Sequence, residues 1–538
     1  MHNHSLLGLT GLCLLMPLAP QAPAAQAPLE VTTRASVGTS GFQGNKGSSA
    51  SSISADGRFV AFASFSNNLV PGDVNGVRDI FVHDSLTGVI ERVSVSSTGV
   101  QGDKSSAFPS ISADGRMIAF ASASSNLVIG DINGESDIFV HDRLTNLTER
   151  VSVSSTGVQA DTACSFASIS GDGNVVAFRS NSSLLVAGDT NGTKDIFVHD
   201  RLAGTTERAS VSSSGAEGAG GCFFVALSDD GRFAAFDSSS DNLVPLDTNG
   251  ARDIFVRDRL SGTTERVSVA TGGVEGNGTS GWPSISGDGG VVAFESYADN
   301  LVTGDTNGTV DIFAYDRVAG ELALASRDSY GTIGNGASTN PEISDDGRTV
   351  VFESFTDNLV PGDGNLSMDI LAHDLQTGLT ERVSCDSSGN EGNDTSLFAS
   401  VSADGRFVSF YSSATNLVAG DTNGVDDVFV HDRMTGGPQV TLTNVVGGQL
   451  ANLSITGATP GGAVVLGVSL SGQGPMPSPW GPLELSGPIF LLTLPMDAAG
   501  QLSLPVGIPA ALTGLPLWIQ GIDVTMDYPT TAWGGLIL

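Results

Sequence analysis

The dipeptide Asp-Gly returns along this chain at one fixed interval. It begins at Asp56, Asp114, Asp172, Asp230, Asp288, Asp346 and Asp404, so each copy follows the last by 58 residues. Self-similarity at a long fixed period is the sequence signature of solenoids, propellers and other repeat architectures. The chain must therefore build one structural unit seven times and pack the copies against each other.

One copy, residues 108–157, divides into four predicted strands. They are Pro109–Ser112, Met117–Ser122, Asp137–Asp142 and Thr148–Ser154. An Asp-Gly turn joins the first two strands, because this dipeptide tolerates the positive φ of a tight hairpin. The second strand is apolar without clean alternation, which predicts that both of its faces are buried. Four-stranded sheets buried on both faces and repeated seven times describe the blades of a propeller.

The two ends of the repeat region complement each other. Arg34-Ala35-Ser36-Val37 matches Arg92-Val93-Ser94-Val95 at the same period, so a fourth strand without its blade precedes the first copy. The seventh copy reaches Gly436-Gly437-Pro438 where its own fourth strand should begin. We therefore predict an all-β chain with a seven-bladed β-propeller at 31–437, closed by the N-terminal strand. Closure is favoured over an open solenoid because it removes two aggregation-prone edges.

The residues of the repeat also resemble a known family. The segments SADGRFVAFAS (54–64), DIFVHD (79–84) and ERVSV (91–95) are similar to the TolB-like, WD-repeat-like propeller repeat of periplasmic and secreted bacterial proteins. The resemblance covers about residues 31–437 and implies the propeller fold. It does not imply one activity, because blades of this type serve binding proteins, peptidase gating domains and some lyases.

A polar loop precedes the third strand of every copy and carries the same three residues, Asp, Asn and Asp. These residues are Asp73, Asn75, Asp79, Asp131, Asn133, Asp137, Asp189, Asn191, Asp195, Asp247, Asn249, Asp253, Asp305, Asn307, Asp311, Asp363, Asn365, Asp369, Asp421, Asn423 and Asp427. Oxygen ligands at alternate positions of such a loop are typical of calcium sites, and the D-x-N-G opening resembles integrin-type propeller loops. The pattern departs from those loops at Val77 and Arg78. The alternative is that Asn-Gly makes the turn and each Asp accepts hydrogen bonds from loop amides. Ca²⁺ is the one cofactor we consider.

The histidines of the repeat region give no sign of catalysis. His83, His141, His199, His373 and His431 all occupy one repeat position, whereas a catalytic histidine is expected to be singular. Without an unrepeated base, a serine nucleophile would not be activated. We therefore predict no catalytic residue and no enzymatic activity, and expect a binding scaffold. The alternative is a carbohydrate-active, lyase-like enzyme, which would need an unrepeated cluster of His, Arg or Lys at the channel mouth.

Three cysteines lie in the repeat region. Cys164 and Cys222 are one period apart, just before the first strands of adjacent blades. A disulfide between them is a hypothesis that requires Cα atoms within about 7 Å. Cys385 takes a fourth-strand position held mostly by Val in other copies, so we expect a buried free thiol.

The chain begins with a predicted signal peptide, residues 1–24. An apolar stretch, Leu6–Leu18, precedes the A-x-A cleavage pattern Ala22-Pro23-Ala24. The stretch is too short to span a membrane comfortably. We therefore expect a protein that is secreted, periplasmic or at the cell surface, with no membrane span.

The charge of the chain restricts its partners. Lys and Arg number 24 against 58 Asp and Glu, for a formal net charge of −34. Such a field repels nucleic acid and anionic membranes and favours cations or basic partners. We expect a monomer that binds a protein or carbohydrate ligand on the face carrying the acidic loops.

The composition changes after the repeats. Residues 440–538 contain no Lys or Arg, and short apolar runs alternate there with Gly/Pro turns. This pattern predicts a small C-terminal β-sandwich at 440–538.

Overall fold

A computed structural model describes residues 31–433 in full and, between 439 and 536, the backbone of ten further strands. The predicted signal peptide at 1–24 lies outside these residues. Within the described ranges no helix is long and apolar enough to cross a membrane.

Six blades are four-stranded antiparallel sheets whose strands are hydrogen-bonded in chain order. Their strands are β2 Ser48–Ile53, β3 Phe59–Ser64, β4 Asp79–Asp84 and β5 Val89–Arg92 in blade 1; β6 Ser106–Ile111, β7 Met117–Ser122, β8 Asp137–Asp142 and β9 Leu147–Arg150 in blade 2; β10 Cys164–Ile169, β11 Val175–Ser180, β12 Asp195–Asp200 and β13 Thr205–Arg208 in blade 3; β14 Cys222–Leu227, β15 Phe233–Ser238, β16 Asp253–Asp258 and β17 Thr263–Arg266 in blade 4; β18 Ser280–Ile285, β19 Val291–Ser296, β20 Asp311–Asp316 and β21 Glu321–Leu324 in blade 5; and β22 Ser338–Ile343, β23 Thr349–Ser354, β24 Asp369–Asp374 and β25 Thr380–Arg382 in blade 6.

Blade 7 is completed by the N-terminal strand. It contains β26 Ser396–Val401, β27 Phe407–Ser412 and β28 Asp427–Asp432, and its fourth strand is β1 Val31–Arg34. β1 pairs antiparallel with β28, from Val31 opposite Asp432 to Arg34 opposite Phe429. The predicted seven-bladed all-β propeller and its closing strand are therefore confirmed.

The fourth strands are shorter than predicted. In blade 2 the strand ends at Arg150 rather than at Ser154. The cause is Ser152, whose hydroxyl donates to Asp137 Oδ1 at 2.5 Å and accepts from the Ile138 amide at 3.1 Å. A side chain thus takes over the hydrogen bonds that the strand ladder would have made.

The core lies between neighbouring blades. Ile80 and Val82 of blade 1, for example, pack against Ile118, Phe120 and Phe139 of blade 2, and all five are buried. The second and third strands of each blade are buried on both faces, as predicted. Burying apolar area of this kind is the dominant favourable term in folding.

The turns between first and second strands form a ring around one end of the central channel. The backbone of each turn donates a hydrogen bond of 2.9–3.1 Å to the turn of the next blade. The residues in this ring are Ala55, Ala113, Gly171, Asp229, Gly287, Asp345 with Asp346, and Ala403, which donates back to Ala55. The opposite face, called here the loop face, carries the loops between second and third strands and those between blades.

The C-terminal strands form antiparallel pairs. β29 Gln439–Thr443, β30 Leu450–Thr456 and β35 Leu502–Gly507 form one sheet; β34 Ile489–Pro495, β31 Ala463–Ser469, β36 Pro516–Asp523, β37 Tyr528–Pro529 and β38 Trp533–Leu536 form a second; β32 Gln473–Ser478 pairs with β33 Gly481–Leu485. The all-β character is as expected, and the sandwich arrangement at 440–538 stays a prediction.

Candidate functional site

The asparagine of each predicted calcium loop is the centre of the loop's own hydrogen bonds. In blade 1, Asn75 Nδ2 donates to Asp79 Oδ2 at 2.7 Å and to the Gly102 carbonyl at 3.0 Å, and its Oδ1 accepts from the Val77 amide at 3.2 Å. The other Oδ of the aspartate, Asp79 Oδ1, accepts from Ser94 at 2.5 Å. This is the turn chemistry of the alternative interpretation.

An arginine at the end of the fourth strand reaches both aspartates of the loop. In blade 2, Arg150 Nη1 lies 3.2 Å from Asp131 Oδ1 and 3.7 Å from Asp137 Oδ2. The side chains of this group are only 11%, 3% and 0% exposed. Six blades have such an arginine: Arg34, Arg92, Arg150, Arg208, Arg266 and Arg382. A guanidinium therefore supplies positive charge where the carboxylates converge.

In three blades a glutamate joins this ion cluster. Glu217 Oε2 lies 2.9 Å from Arg208, and Glu275 Oε2 lies 3.0 Å from Arg266. In blade 6, Asp363, Asp369 and Glu391 each bring one oxygen within 4.8 Å of the others, with Arg382 between 3.5 and 3.9 Å away. The calcium prediction for these loops remains a prediction, and the guanidinium groups compete with a metal ion for the same oxygens.

Blade 5 departs from this arrangement. Leu324 takes the position of the arginine, although Asp305, Asn307 and Asp311 are retained. Asp311 accepts hydrogen bonds from Ser326 at 2.6 Å and Asn307 at 2.7 Å, but burial still raises its pKa to about 6. Burial also raises the pKa of Asp305. Among the seven loops, all of them described, this is the one without a guanidinium.

The five repeated histidines lie in the packing between blades. His141 Nδ1 is 2.9 Å from Thr148 Oγ1, and that hydroxyl donates to the Val95 carbonyl of the preceding blade. Burial lowers the pKa of His141, and it lowers that of His373 to about 4. These positions agree with the interpretation of the histidines as repeat residues.

The disulfide hypothesised between Cys164 and Cys222 is not formed in this structure. Both are free, fully buried thiols, and Cys385 is buried as well. Cys164 packs with Val140 and Val151, whereas Cys222 packs with Val198 in the next interface between blades. Burial raises the pKa of Cys164 to about 12, so the thiol stays protonated and unreactive.

A second group of residues, not singled out by the sequence analysis, lines the central channel. Each first strand has a register shift, such as that between Ser165 and Ser168, and the residue inside it points its side chain into the channel wall. Six of these residues have φ between 48° and 54°: Ala50, Phe108, Phe166, Trp282, Asn340 and Phe398. Positive φ is rare for bulky residues. Such bulges and strained positions recur next to functional sites, where they re-aim side chains.

The bulges bring aromatic rings together in the channel. Ring centroids are 4.6 Å apart for Phe108 and Phe166, 4.9 Å for Phe166 and Phe224, and 3.6 Å for Phe224 and Trp282. Trp282 and Phe398 are 5.9 Å apart. Together these five residues wall a cavity of about 220 Å³. They form one continuous chain of aromatic contacts.

Behind the bulges, the fifth residue of each second strand differs from blade to blade. Asp237 Oδ1 accepts from the Phe224 amide at 2.7 Å, and Glu353 Oε1 accepts from the Phe398 amide at 2.8 Å. Glu295 accepts from the backbone of Asn340 at 3.2 Å. Burial raises the pKa of Asp237 to about 6 and that of Glu295 to about 7. These carboxylates hold the strained backbone in place.

Among the described residues that wall this cavity, Glu342 is the one that is ionisable. Five other blades have serine at its repeat position, and the Ser52 hydroxyl, for example, accepts from the Ile111 amide of the next blade at 3.2 Å. Glu342 makes the equivalent bond to the Val401 amide. Burial, and then the charge of Asp345, raise its pKa to about 7.

No protein-family model matches the chain, and a search of curated proteins returned no match. Similar solved structures include a putative TolB from Agrobacterium tumefaciens, with 16% identity and a TM-score of 0.33 over 52% of this chain and 80% of that one. An acylaminoacyl peptidase from Pyrococcus horikoshii has 12% identity and a TM-score of 0.43 over 78% of this chain and 59% of the peptidase. A puromycin-hydrolyzing peptidase of Mycobacterium tuberculosis has 11% identity and a TM-score of 0.41 over 79% of this chain and 62% of that peptidase.

These similarities concern the propeller fold. This chain spans less than two thirds of either peptidase. The expected resemblance to TolB-like repeats is confirmed at the level of the fold, which the seven blades themselves establish.

Proposed function

We propose that this chain is an exported, non-enzymatic binding module that takes its ligand into the central channel from the loop face. The observation that carries the proposal is where the blades differ. The acidic loops repeat almost unchanged, whereas the channel wall has Phe108, Phe166, Phe224, Trp282 and Asn340 at one repeat position. Residues that differ between the copies can be specific for one ligand.

The size and chemistry of the channel limit that ligand. Pockets for drug-sized molecules are typically about 300–1,000 Å³, and this cavity is about 220 Å³. It suits a small molecule, one sugar unit or one side chain of a protein partner. The acidic loops surround the entrance, so the field of the chain favours basic or neutral ligands over anions.

Filling the cavity is expected to abolish binding. Asn340→Phe introduces the residue that Phe108, Phe166 and Phe398 already place at the same positive φ. The variant loses the hydrogen bond from Asn340 Nδ2 to Glu353 Oε1, so its melting temperature should be somewhat lower. The fold should be retained, because residue 340 keeps its backbone bond to Glu295 and Glu353 keeps the Phe398 amide. The measurement is binding of the exported protein to an array of soluble glycans and short peptides.

A control variant is Leu144→Ser, on an exposed turn of the opposite face, where the leucine is 74% exposed. It should bind like the unmodified chain. Binding that survives Asn340→Phe, or an array with no ligand at all, would contradict the proposal.

We further infer that calcium bound by the repeated loops is held in blade 5. The support is the lack of a guanidinium beside Asp305 and Asp311, because a divalent cation would there neutralise two carboxylates that burial makes costly. Ligand binding to the folded state raises its stability. Calcium is therefore expected to raise the melting temperature, and a chelator to lower it.

Leu324→Arg gives blade 5 the arginine of the other blades and should remove the calcium effect. The matched control is Ile333→Gln. Glutamine is the residue that lies beside the loops of blades 1, 2 and 7 at the equivalent repeat position, so this variant should keep the calcium effect. A melting temperature that ignores calcium, or a calcium effect that persists in Leu324→Arg, would exclude the site.

A further inference from the structure

We infer that the ligand of the central channel is a small organic cation, a substituted ammonium or guanidinium group, with Glu342 as its counter-ion and the aromatic rings as its walls. This inference rests on the proposed function, since it names the ligand class for the same channel. It is argued from Glu342, from the rings and from the charges around them.

Glu342 departs from the repeat at a position where a serine is sufficient for the fold. A serine hydroxyl is sufficient to accept the amide of the next blade, as Ser110 does from Ile169 at 3.1 Å and Ser284 from Ile343 at 3.1 Å. Glu342 satisfies the same kind of bond and in addition brings a carboxyl group to the cavity wall. The carboxyl is also hydrogen-bonded by the Ser400 side chain of the next blade, but both of these partners are neutral and leave its negative charge unbalanced.

The basic residues near the channel, Arg179 and Arg252, already interact with groups other than Glu342. Arg179 lies over the Phe166 ring, 4.7 Å from its centroid, and donates to the Phe223 carbonyl at 3.2 Å. Arg252 is 3.3 Å from Asp237 Oδ2 and donates to the Ser280 carbonyl. Among the described residues, Glu342 has neither of them as a partner. Glu342 is partly exposed to the cavity, and its hydrogen bonds come from neutral groups. A carboxylate in such a site is costly without an opposite charge, so a cationic ligand gains by supplying that charge.

The aromatic wall of the cavity also favours a positively charged ligand. The face of an aromatic ring carries negative potential, so a cation near it is attracted, and more strongly when water is excluded. Phe224, Trp282 and Phe398 are on blades 4, 5 and 7, so they flank Glu342 of blade 6 on both sides. An anion would meet both the rings and the carboxylate unfavourably, and a neutral apolar ligand would leave Glu342 unpaired.

The other ionisable groups around Glu342 share its sign. They are Asp345 on its own turn, Asp229 further round the ring of turns, Glu353 on the paired strand and Glu295 of the preceding blade. Tyr411 of the following blade also has a raised pKa. Because Glu342 has a pKa of about 7, the affinity for a cation should fall as the pH drops below 7 and the carboxylate takes a proton.

The test compares choline with 3,3-dimethylbutan-1-ol, which has the same shape but a carbon in place of the charged nitrogen, by isothermal titration against the full chain. Choline is expected to bind at least about tenfold more tightly, since each tenfold corresponds to about 1.4 kcal/mol. Its affinity should rise with pH between 6 and 8. Methyl glucoside serves as the neutral sugar, and its tighter binding would overturn the inference.

Glu342→Ser restores the residue of five other blades, and it should bind choline at least about tenfold more weakly. Its affinity should also no longer depend on pH. Glu342→Gln keeps the size and the hydrogen bond and should show the same loss if the charge is what matters. Equal affinity of the two isosteres, unchanged choline binding in either variant, or no choline binding at all would overturn the inference. If array ligands bind and Asn340→Phe blocks them while choline does not bind, the proposed function stands and the ligand class alone fails.

Discussion

Arg150→Leu is expected to destabilise the propeller by about 3–5 kcal/mol, because removing one partner of a buried ion pair leaves uncompensated charge. Arg150 lies 3.2 Å from Asp131 and 3.7 Å from Asp137, and the two carboxylates are 3% and 0% exposed. Burial already raises the pKa of both aspartates while the arginine lowers it. Without the guanidinium the two groups must take up a proton or draw in water.

Urea unfolding at pH 7 measures the loss, and its pH dependence identifies the cause. The penalty should shrink as the pH is lowered toward 5, because the unpaired carboxylates are then protonated. The matched control is Arg116→Leu, whose side chain is 39% exposed in its pair with Asp142. This pair is bidentate and Asp142 is 9% exposed, but water can reach the half-exposed guanidinium, so the loss should be clearly smaller than for Arg150→Leu. Equal losses in the two variants would contradict the argument.

The architecture was predictable because its signals are local. Asp-Gly turns, apolar second and third strands and a constant period of 58 residues specify four strands per blade. The lone segment at Arg34 predicted closure, and β1 does pair with β28. The fourth strands were overextended because the competing hydrogen bond, from Ser152 to Asp137, joins residues 15 positions apart.

The arginine of the loops was missed although its signal was present. Phe81 pairs with Arg92 in the hairpin of blade 1, which places Arg92 next to Asp79. The loop and the arginine are thus brought together by strand register rather than by proximity in sequence. The absence of arginine at Leu324 marks blade 5 in the sequence as well.

The channel residues could be located only in part. Aligning the copies at their period reveals Trp282, Asn340 and Glu342 as exceptions. What no strand pattern reveals is the bulge in each first strand, because positive φ at a bulky residue such as Trp282 is not signalled by the residue type. The cysteines also show that a repeat position does not reveal contacts. Cys164 and Cys222 occupy equivalent positions in adjacent blades but lie in separate interfaces.

Lowering the pH from 8 to 6 is expected to stabilise the protein. Burial raises the pKa of Glu295, Glu342 and Asp345 to about 7, whereas unfolded carboxyls titrate near 4. Between these values the folded state binds more protons than the unfolded state, so stability falls as the pH rises through 7. One pKa unit corresponds to about 1.4 kcal/mol, so three partly independent groups contribute about 2–4 kcal/mol between pH 8 and pH 6.

The gain should become smaller on further acidification. Burial lowers the pKa of His373 and His431 to about 4, so below pH 6 the unfolded state binds more protons at these two sites and offsets part of what the three carboxyls contribute. As the pH is lowered from 8 to 4, melting temperatures should therefore rise most steeply between pH 8 and pH 6 and more slowly below pH 6. A melting temperature that stays constant or increases with pH between pH 6 and 8 would contradict the argument.

Salt and substitution separate this cause from the general repulsion of a chain with a net charge of −34. Repulsion between exposed charges is screened at high ionic strength, whereas a buried carboxyl is screened much less. The slope between pH 6 and 8 should thus persist in 1 M salt, and Glu295→Gln should reduce it because the amide cannot titrate. Glu91→Gln, at a surface glutamate with 41% of its side chain exposed, is the matched control and should leave the slope unchanged. A slope that disappears in salt would instead assign the pH dependence to surface charge.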